Sequence, residues 1–543
     1  MEVTSTPAML LYAALFAAAL LYLAVAVRRG RGAGLPPGPT GLPLVGSLLS
    51  LDPELHTYFA GLAARYGPIF SIRLGSKLGV VVTSPALARE VLRDHDLVFS
   101  NRDTPDAACS ISYGGGQNIV WNPVGPTWRL LRRICVHEMI GPAGLDSLHG
   151  LRRREFMATL HHLRARSGEP VNVGAQMFLT VMNVVTGALW GGNVGSESER
   201  TTVGKEFREL VADITELLGA PNVSDFFPAL APLDIQGIRN KSDLLKDRFD
   251  DIFARIIQKR TESDHAAAAG ETASDFLEYM LKLEKEGGDG KTAFTMTNVK
   301  ALLMCSLLSH CTAGVGDDDT TIHGCVIWLQ DMVIGGTETT SNTVEWGMAE
   351  MLQNRGTLRK VREELDAVVG RDGVVEESHL PKLHYLNLVV KETLRLHPAL
   401  PLMVPHCPGE DATVGGHRVP AGARVFVNVW AIQRDPAVWK DPEHFIPERF
   451  LPADGGGGRR LDFTGSEQEY MPFGSGRRIC AGVAMAERMV AYSLAMLVQA
   501  FDWELPAGER LDLAERFGIV MKKATPLVAV PTPRLSNPQL YSA

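Results

Sequence analysis

Cys480 closes the stretch Phe473-Gly-Ser-Gly-Arg-Arg-Ile-Cys480-Ala-Gly482, a Gly-rich turn that runs directly into an apolar-periodic segment, 482 to 499. A thiol at a helix N-terminus meets free backbone N–H groups and the positive end of the helix dipole, and both stabilise its thiolate. Glycines in the turn let a flat ligand lie close to the backbone. A lone cysteine before a helix is more often buried and inert, so the argument rests on the whole pattern. A second cluster, Gly335-Gly-Thr-Glu338-Thr339, sits inside an apolar helical stretch. Two glycines there cost about 1 kcal/mol each relative to Ala, which a functional gap in the helix would explain. An acid beside a hydroxyl can pass protons; the competing reading is a Thr hydroxyl bonded to its own i−4 carbonyl in a kinked core helix.

Glu392 and Arg395 stand at i and i+3 in Lys391-Glu-Thr-Leu-Arg-Leu-His-Pro398. Exposed, such a pair is worth only ~0.2–0.5 kcal/mol. Arg449, in Pro447-Glu-Arg449-Phe450, supplies a second guanidinium, and planar guanidinium–carboxylate geometry suits a buried cluster. Trp128 and Arg132 lie at i and i+4, on one helix face, and both can donate to a carboxylate. An amphipathic surface helix is the alternative there. His406, after Val404-Pro405, is a further candidate donor. Gly114 to Gly116 follows no strand of a βαβ unit, His137-Glu138 lacks the second His of a zinc helix, and Asp317 to Asp319 lacks the spaced oxygens of a calcium loop.

The elements that must position these groups are mostly helical. Periodic apolar stretches span 84 to 95, 126 to 140, 204 to 219, 242 to 260, 342 to 370, 385 to 397 and 482 to 499. Residues 69 to 83, β-branched and broken by Gly, read as a small hairpin sheet. Low complexity is confined to 266 to 269 and 455 to 458, and no repeat occurs. Hydrophobic residues at 45% and charged residues at 21% describe a globular chain with ample core. The net charge of −8, without a Lys/Arg block beyond Arg28, Arg29 and Arg31, argues against nucleic acid. Seven cysteines without a CxxC pair suit a reducing compartment and no disulfide framework. Pro7 to Val27 is an uncharged apolar run of the ~20 residues that cross a bilayer as a helix. Because the basic cluster follows the run, it reads as an anchor with the remainder cytosolic, not as a cleaved signal. Residues 1–31 are thus expected as anchor and basic stop, 32–45 (with Leu35-Pro-Pro-Gly-Pro39) as a stiff hinge, and 46–543 as the catalytic body.

The Cys480 loop resembles the haem-binding signature FxxGxRxCxG of the cytochrome P450 superfamily, and the Gly335–Thr339, Glu392/Arg395, Pro447–Phe450 and Trp128/Arg132 motifs resemble that family's other hallmarks, in order, from Pro36 to about residue 530. The resemblance implies a mainly α fold with a small β-rich subdomain. It implies haem b (iron protoporphyrin IX), ligated through iron by Cys480, with Phe473, Gly476 and Gly482 shaping the loop and Trp128, Arg132, His406 and Arg478 as propionate partners. Glu338 and Thr339 would relay protons, and Glu392, Arg395 and Arg449 would form a buried structural triad. Substrate contacts carried over by position are Ile334, Gly335, Leu402, Val404, Phe517 and Val520, with the loop 104 to 122. The activity implied is insertion of one oxygen atom from O2 into a small lipophilic metabolite, terpenoid or phenolic. Electrons would come from NADPH through NADPH–cytochrome P450 reductase, at the endoplasmic reticulum membrane. The linking text resembles plant microsomal A-type members, closest to the plant family numbered seven hundred and six. A haem-thiolate isomerase or dehydratase needing no reductase is the alternative. One segment departs from the pattern: 305–330 interrupts the helix expected to cross the distal haem face. It reads as retained intron sequence, which would impair the product, or as a genuine surface hairpin.

Overall fold

The β-branched run does form the expected hairpin: Ile69–Leu74 (β1) pairs antiparallel with Lys77–Val82 (β2) through a turn at Gly75. Arg424–Val427 (β3) adds in parallel to β2, so residues far apart in the chain complete one sheet. The structure, a computed structural model, describes residues 16–17, 34–111, 118–190, 197–248, 251, 326–451 and 461–542. The 7 to 27 run lies outside these apart from residues 16 and 17, as do Arg28, Arg29, Arg31, both low-complexity stretches and residues 305–325. No helix among the described residues is long and apolar enough to cross a membrane.

The proline-rich segment expected as a hinge is stitched to the sheet. Pro37 O accepts from Ser71 N at 2.7 Å, Pro36 O from Ser71 Oγ at 2.8 Å, and a Cβ on Gly38 would stand 1.8 Å from Ser71 O. Glycine is required there because two backbones touch.

Helices make the rest of the frame. Those that bear on the site are, in chain order, Pro126–Arg133 (α1), Val173–Trp190 (α2), Glu197–Gly219 (α3), Val326–Gln353 (α4), Arg355–Val368 (α5), His384–Leu396 (α6) and Val483–Ala500 (α7). The stretch 342 to 370 is two helices because Asn354 ends α4, its side chain donating to Glu350 O at 2.9 Å. Short polar side chains compete with the helix ladder in this way. α4 packs against α2, α7, α6 and α3, and α7 is buried from Met489 to Ala500. α4 begins at Val326, inside the 305–330 segment.

Polar residues of α4 are buried alongside apolar ones, among them Thr337, Glu338, Thr340, Thr343, Glu345 and Glu350. Its threonines satisfy themselves locally: Thr337 donates to Val333 O at 2.5 Å and Thr343 to Thr339 O at 2.8 Å. A helix buried on several faces shows little amphipathic period. Two further strands near the C-terminus, Glu515–Arg516 (β4) and Lys522–Lys523 (β5), form a hairpin against α4.

Candidate active site

Between α4, α2 and the loop that precedes α7 lies a cavity of about 340 Å³. Gly335, Gly336 and Thr339 form one wall, and Phe473, Cys480 and Gly482 another. The loop is held by its own backbone: Cys480 N donates to Phe473 O at 2.9 Å, and Gly482 N donates to Cys480 Sγ at 3.3 Å. The accessible side of the sulfur faces the cavity. Burial pushes the Cys480 thiol up, while the Gly482 N–H and the Arg132 guanidinium pull it back. A bound metal ion, which deprotonates a coordinating thiol, would hold the sulfur as thiolate.

Three guanidiniums line the cavity. Arg478 donates to Ser100 O at 2.7 Å, Ile119 O at 2.9 Å and Asn122 O at 2.5 Å, and its guanidinium lies 4.8 Å from the Trp128 ring centroid. Arg132 donates to Ile479 O at 2.5 Å. Trp128 itself is not in the wall: its Nε1–H donates to Ile119 O at 3.0 Å, so the indole supports the two arginines and does not reach into the cavity. The third cation, Arg102, was not among the expected residues. It donates to Val404 O at 2.5 Å and Pro405 O at 3.1 Å, and its buried Nε has no hydrogen-bond partner among the described residues. Burial, then the field of Arg478, brings Arg102 down to about 9, and burial, then Arg132, brings Arg478 down to about 10.

No Asp, Glu or Lys lines the cavity among the described residues. Buried like charges without a counter-ion are costly, and an unpaired buried donor adds to that cost. The site therefore fits a flat apolar group carrying carboxylates and a thiolate-binding metal, which is haem b. His406 also lines the cavity. Its Nδ1–H donates to Phe99 O at 2.8 Å, and burial with the field of Arg102 holds the imidazole well below its usual range. With Nδ1–H engaged by that carbonyl, Nε2 is the ring nitrogen left for another partner. Arg102→Met is expected to weaken haem retention by about tenfold or more, the size of a lost charge-assisted bond. Transfer of haem to an acceptor protein measures this.

The other expected residues divide. Thr339 lines the cavity and its hydroxyl donates to Gly335 O at 2.6 Å, the i−4 carbonyl of its own helix. Glu338 turns away and pairs with Lys522. Gly335 and Val404 line the cavity; Leu402 does not, packing with Phe59, Phe70, Phe226 and Phe426 beneath the β1–β3 sheet. Phe517 and Val520 line a second cavity of about 700 Å³, because the β4–β5 hairpin carries them beside α3. The Ile334 side chain and residues 112–117 lie outside the described residues. Gly476 shapes the loop from behind: its φ is +68°, and a Cβ would stand 2.0 Å from Leu92 O. Gly476→Ala is therefore expected to destabilise the loop by at least ~2 kcal/mol, from left-handed strain plus a backbone clash, and thermal melting with loss of bound haem would show it.

Glu392, Arg395 and Arg449 come together. Arg395 grips Glu392 at 2.7 and 2.9 Å, Arg449 Nε donates to Glu392 Oε1 at 3.0 Å, and Ile446 N adds a fourth donor at 2.8 Å.

A helical frame carrying a cysteine-floored, cation-rimmed cavity defines a haem-thiolate protein. The chain belongs to the cytochrome P450 family, whose profile matches residues 36–315 and 312–530. It is 38% identical to the flavonoid 3'-monooxygenase CYP75B137 of Crocosmia x crocosmiiflora over 95% of this chain and 96% of that protein. It is 37% identical to the carnosic acid synthase of Salvia pomifera over 92% of this chain and 94% of that one. A zebrafish cytochrome P450 solved with progesterone superposes with a TM-score of 0.69 at 26% identity, covering 89% of this chain and 100% of that one. The chain is accordingly a haem-dependent monooxygenase by family.

Proposed function

We propose that this chain oxygenates a small lipophilic plant metabolite, phenolic or terpenoid, at the haem cavity. Atoms balance as substrate, O2, NADPH and a proton giving hydroxylated product, water and NADP+. Haem, bound through Cys480, supplies the redox chemistry of dioxygen. Arg102, Arg132 and Arg478 hold its carboxylates. Gly335 and Gly336 leave room on the opposite wall, and Thr339, whose hydroxyl hydrogen is engaged by Gly335 O, offers an acceptor oxygen toward the cavity. Glu338, which pairs with Lys522 in the structure, would supply the proton on turning toward Thr339. The observation that carries this reading is the meeting of Cys480 and the Gly335–Thr339 wall across one cavity whose cations lack a counter-charge among the described residues. The substrate class rests on the names of the relatives and on the apolar lining.

Electrons arrive from NADPH through a flavoprotein reductase, on the Cys480 side, at the cytosolic face of the endoplasmic reticulum, with residues 7 to 27 as the single anchor. The test is turnover in reductase-containing microsomes with isotope-labelled dioxygen. One labelled oxygen in a flavonoid or diterpenoid product supports the reading, whereas rearranged product without NADPH or O2 consumption supports the isomerase. Subfamily placement with the plant family numbered seven hundred and six rests only on short linking segments such as Leu233-Asp-Ile-Gln-Gly237. For 305–330, the family profile's two pieces overlap at residues 312–315, which marks an interruption there without choosing between the hairpin and the intron reading. A tryptic peptide containing His310 to Asp318 from native protein would refute it.

A further inference from the structure

The β4–β5 hairpin stands between the two cavities. Phe517, Val520 and Lys522 line the larger one, while Met521 N donates to Ala399 O at 2.8 Å, and Ala399 lines the Cys480 cavity. The ladder of this hairpin has two register pairs, Glu515 with Lys523 and Arg516 with Lys522, and so short a pairing does not hold a hairpin in place. The Glu515 carboxylate does. Its Oε1 lies 3.0 Å from His397 Nδ1 and 3.2 Å from Arg434 Nη2, and its Oε2 lies 2.9 Å from Trp430 Nε1 and 3.3 Å from His56 Nε2. Burial pushes this carboxyl up, but hydrogen bonds from His397 and His56 and the field of Arg434 outweigh it and hold Glu515 well below the usual carboxylate range. An ionised carboxylate only accepts, so all four nitrogens donate. They come from separate elements: His56 from the helix Leu55–Tyr66, His397 from the end of α6, and Trp430 and Arg434 from the short helix Val429–Ile432 and the residues after it. His397 is braced in turn, with Nε2 2.8 Å from Glu350 Oε1 on α4 and its ring stacked on Trp346 at 3.8 Å. Only Pro398 separates it from Ala399. Two residues after Glu515, Phe517 stacks on His56 at 5.5 Å, and its N–H donates to the Glu54 carboxylate at 3.0 Å.

We propose that Glu515 is a specificity-determining positioning residue: its seat among His56, His397, Trp430 and Arg434 fixes the hairpin as a partition between the two cavities, and so limits the length of lipophile that the Cys480 cavity accepts. This rests on the reading of that cavity as the haem chamber. Glu515 lines neither cavity and acts through Phe517 and through the Met521–Ala399 bond. Beyond the partition, Leu48, Leu51, Leu55 and Phe227 offer an apolar lining to a hydrocarbon tail once Phe517 gives way. A glutamine at 515 fills the same volume, but its amide N–H groups face donors, so part of the seat becomes donor against donor.

Imidazole and its 1-alkyl derivatives, methyl to dodecyl, are the probes. Their free ring nitrogen ligates the iron of the haem-loaded protein and shifts the Soret band, with no turnover or reductase needed. Each buried methylene tightens binding about fourfold, so affinity rises with chain length and levels off where the tail meets the partition. Glu515→Gln is expected to leave imidazole and 1-methylimidazole unchanged, to move the levelling to longer chains and to tighten the dodecyl compound about tenfold. Trp430→Phe, which removes one donor and keeps every charge, should move it the same way by less, and decides the matter if Glu515→Gln retains no haem. Phe517→Ala should move it as well, and adding Glu515→Gln to Phe517→Ala should move it little further, because both act on one obstacle. A merely structural Glu515 would lower the melting temperature and leave the levelling point where it is. Levelling at the wild-type length in Trp430→Phe and Glu515→Gln or in Phe517→Ala, uniform weakening at every length, or additive effects of Glu515→Gln and Phe517→Ala overturn the proposal. Absence of any Soret shift with imidazole in the wild-type protein brings down the haem-chamber reading itself, and the partition with it; that arm alone tells the two failures apart.

Discussion

Cys480→Ser is expected to leave a folded protein that has lost the long-wavelength Soret maximum of its reduced carbon monoxide complex and forms no oxygenated product. The hydroxyl is nearly the same size, and the backbone bonds that hold the loop, Cys480 N to Phe473 O and the glycine turn before it, do not use the side chain. What disappears is the sulfur that faces the cavity and accepts from Gly482 N. A serine hydroxyl remains protonated under conditions in which a metal deprotonates a thiol, so the electron donation of a thiolate is gone. The measurement is a difference spectrum beside a melting curve. An unchanged spectrum would remove Cys480 as the ligand, and a melting curve far below wild type would mean that the loop itself had been lost.

Arg395→Ala should be worse for the fold and uninformative about chemistry. Glu392 and Arg395 are both 0% exposed. The guanidinium also donates to Gln433 O at 2.7 Å, Pro442 O at 2.8 Å and His444 O at 3.2 Å. Its removal leaves a buried carboxylate short of two donors and three carbonyls short of one, and breaking a buried pair from one side costs about 3–5 kcal/mol. Since native domains hold only ~5–15 kcal/mol in all, little folded haem protein should be recovered from expression. Arg449→Ala should cost less, because Glu392 keeps Arg395 and the Ile446 N–H.

The residues that were legible in the sequence owe it to short-range constraint. A turn that must bring a cysteine to a helix start needs particular types at particular offsets, and so does a helical i, i+3 pair whose partner arrives in a fixed tetrapeptide. Arg102 had no such signature. It stands in a polar stretch, Asn101-Arg102-Asp103, and its importance arises only when Val404 and Pro405, distant in the chain, fold over it. Gly476 was legible as a glycine but not for its reason, since the atom it must avoid belongs to another element, Leu92 O. Phe517, Val520 and Leu402 were placed by chain position, and the twist of a short hairpin and the packing under a sheet decide which of two cavities, or neither, a side chain enters. Trp128 and Glu338 show the same limit. Residue type and helix face were readable, but the partner that captured each side chain, a carbonyl for one and a lysine for the other, was not.

The three guanidiniums of the cavity, unopposed among the described residues, also bear on how this protein comes into being. Until a dianionic ring arrives, the chain must close a low-dielectric chamber around cations that repel one another. Any ligand that binds only the closed form stabilises it by mass action. Porphyrin supply, more than synthesis of the polypeptide, should then govern how much of the chain survives quality control. In a host starved of haem precursors, the accumulating material should be the open, protease-sensitive chain.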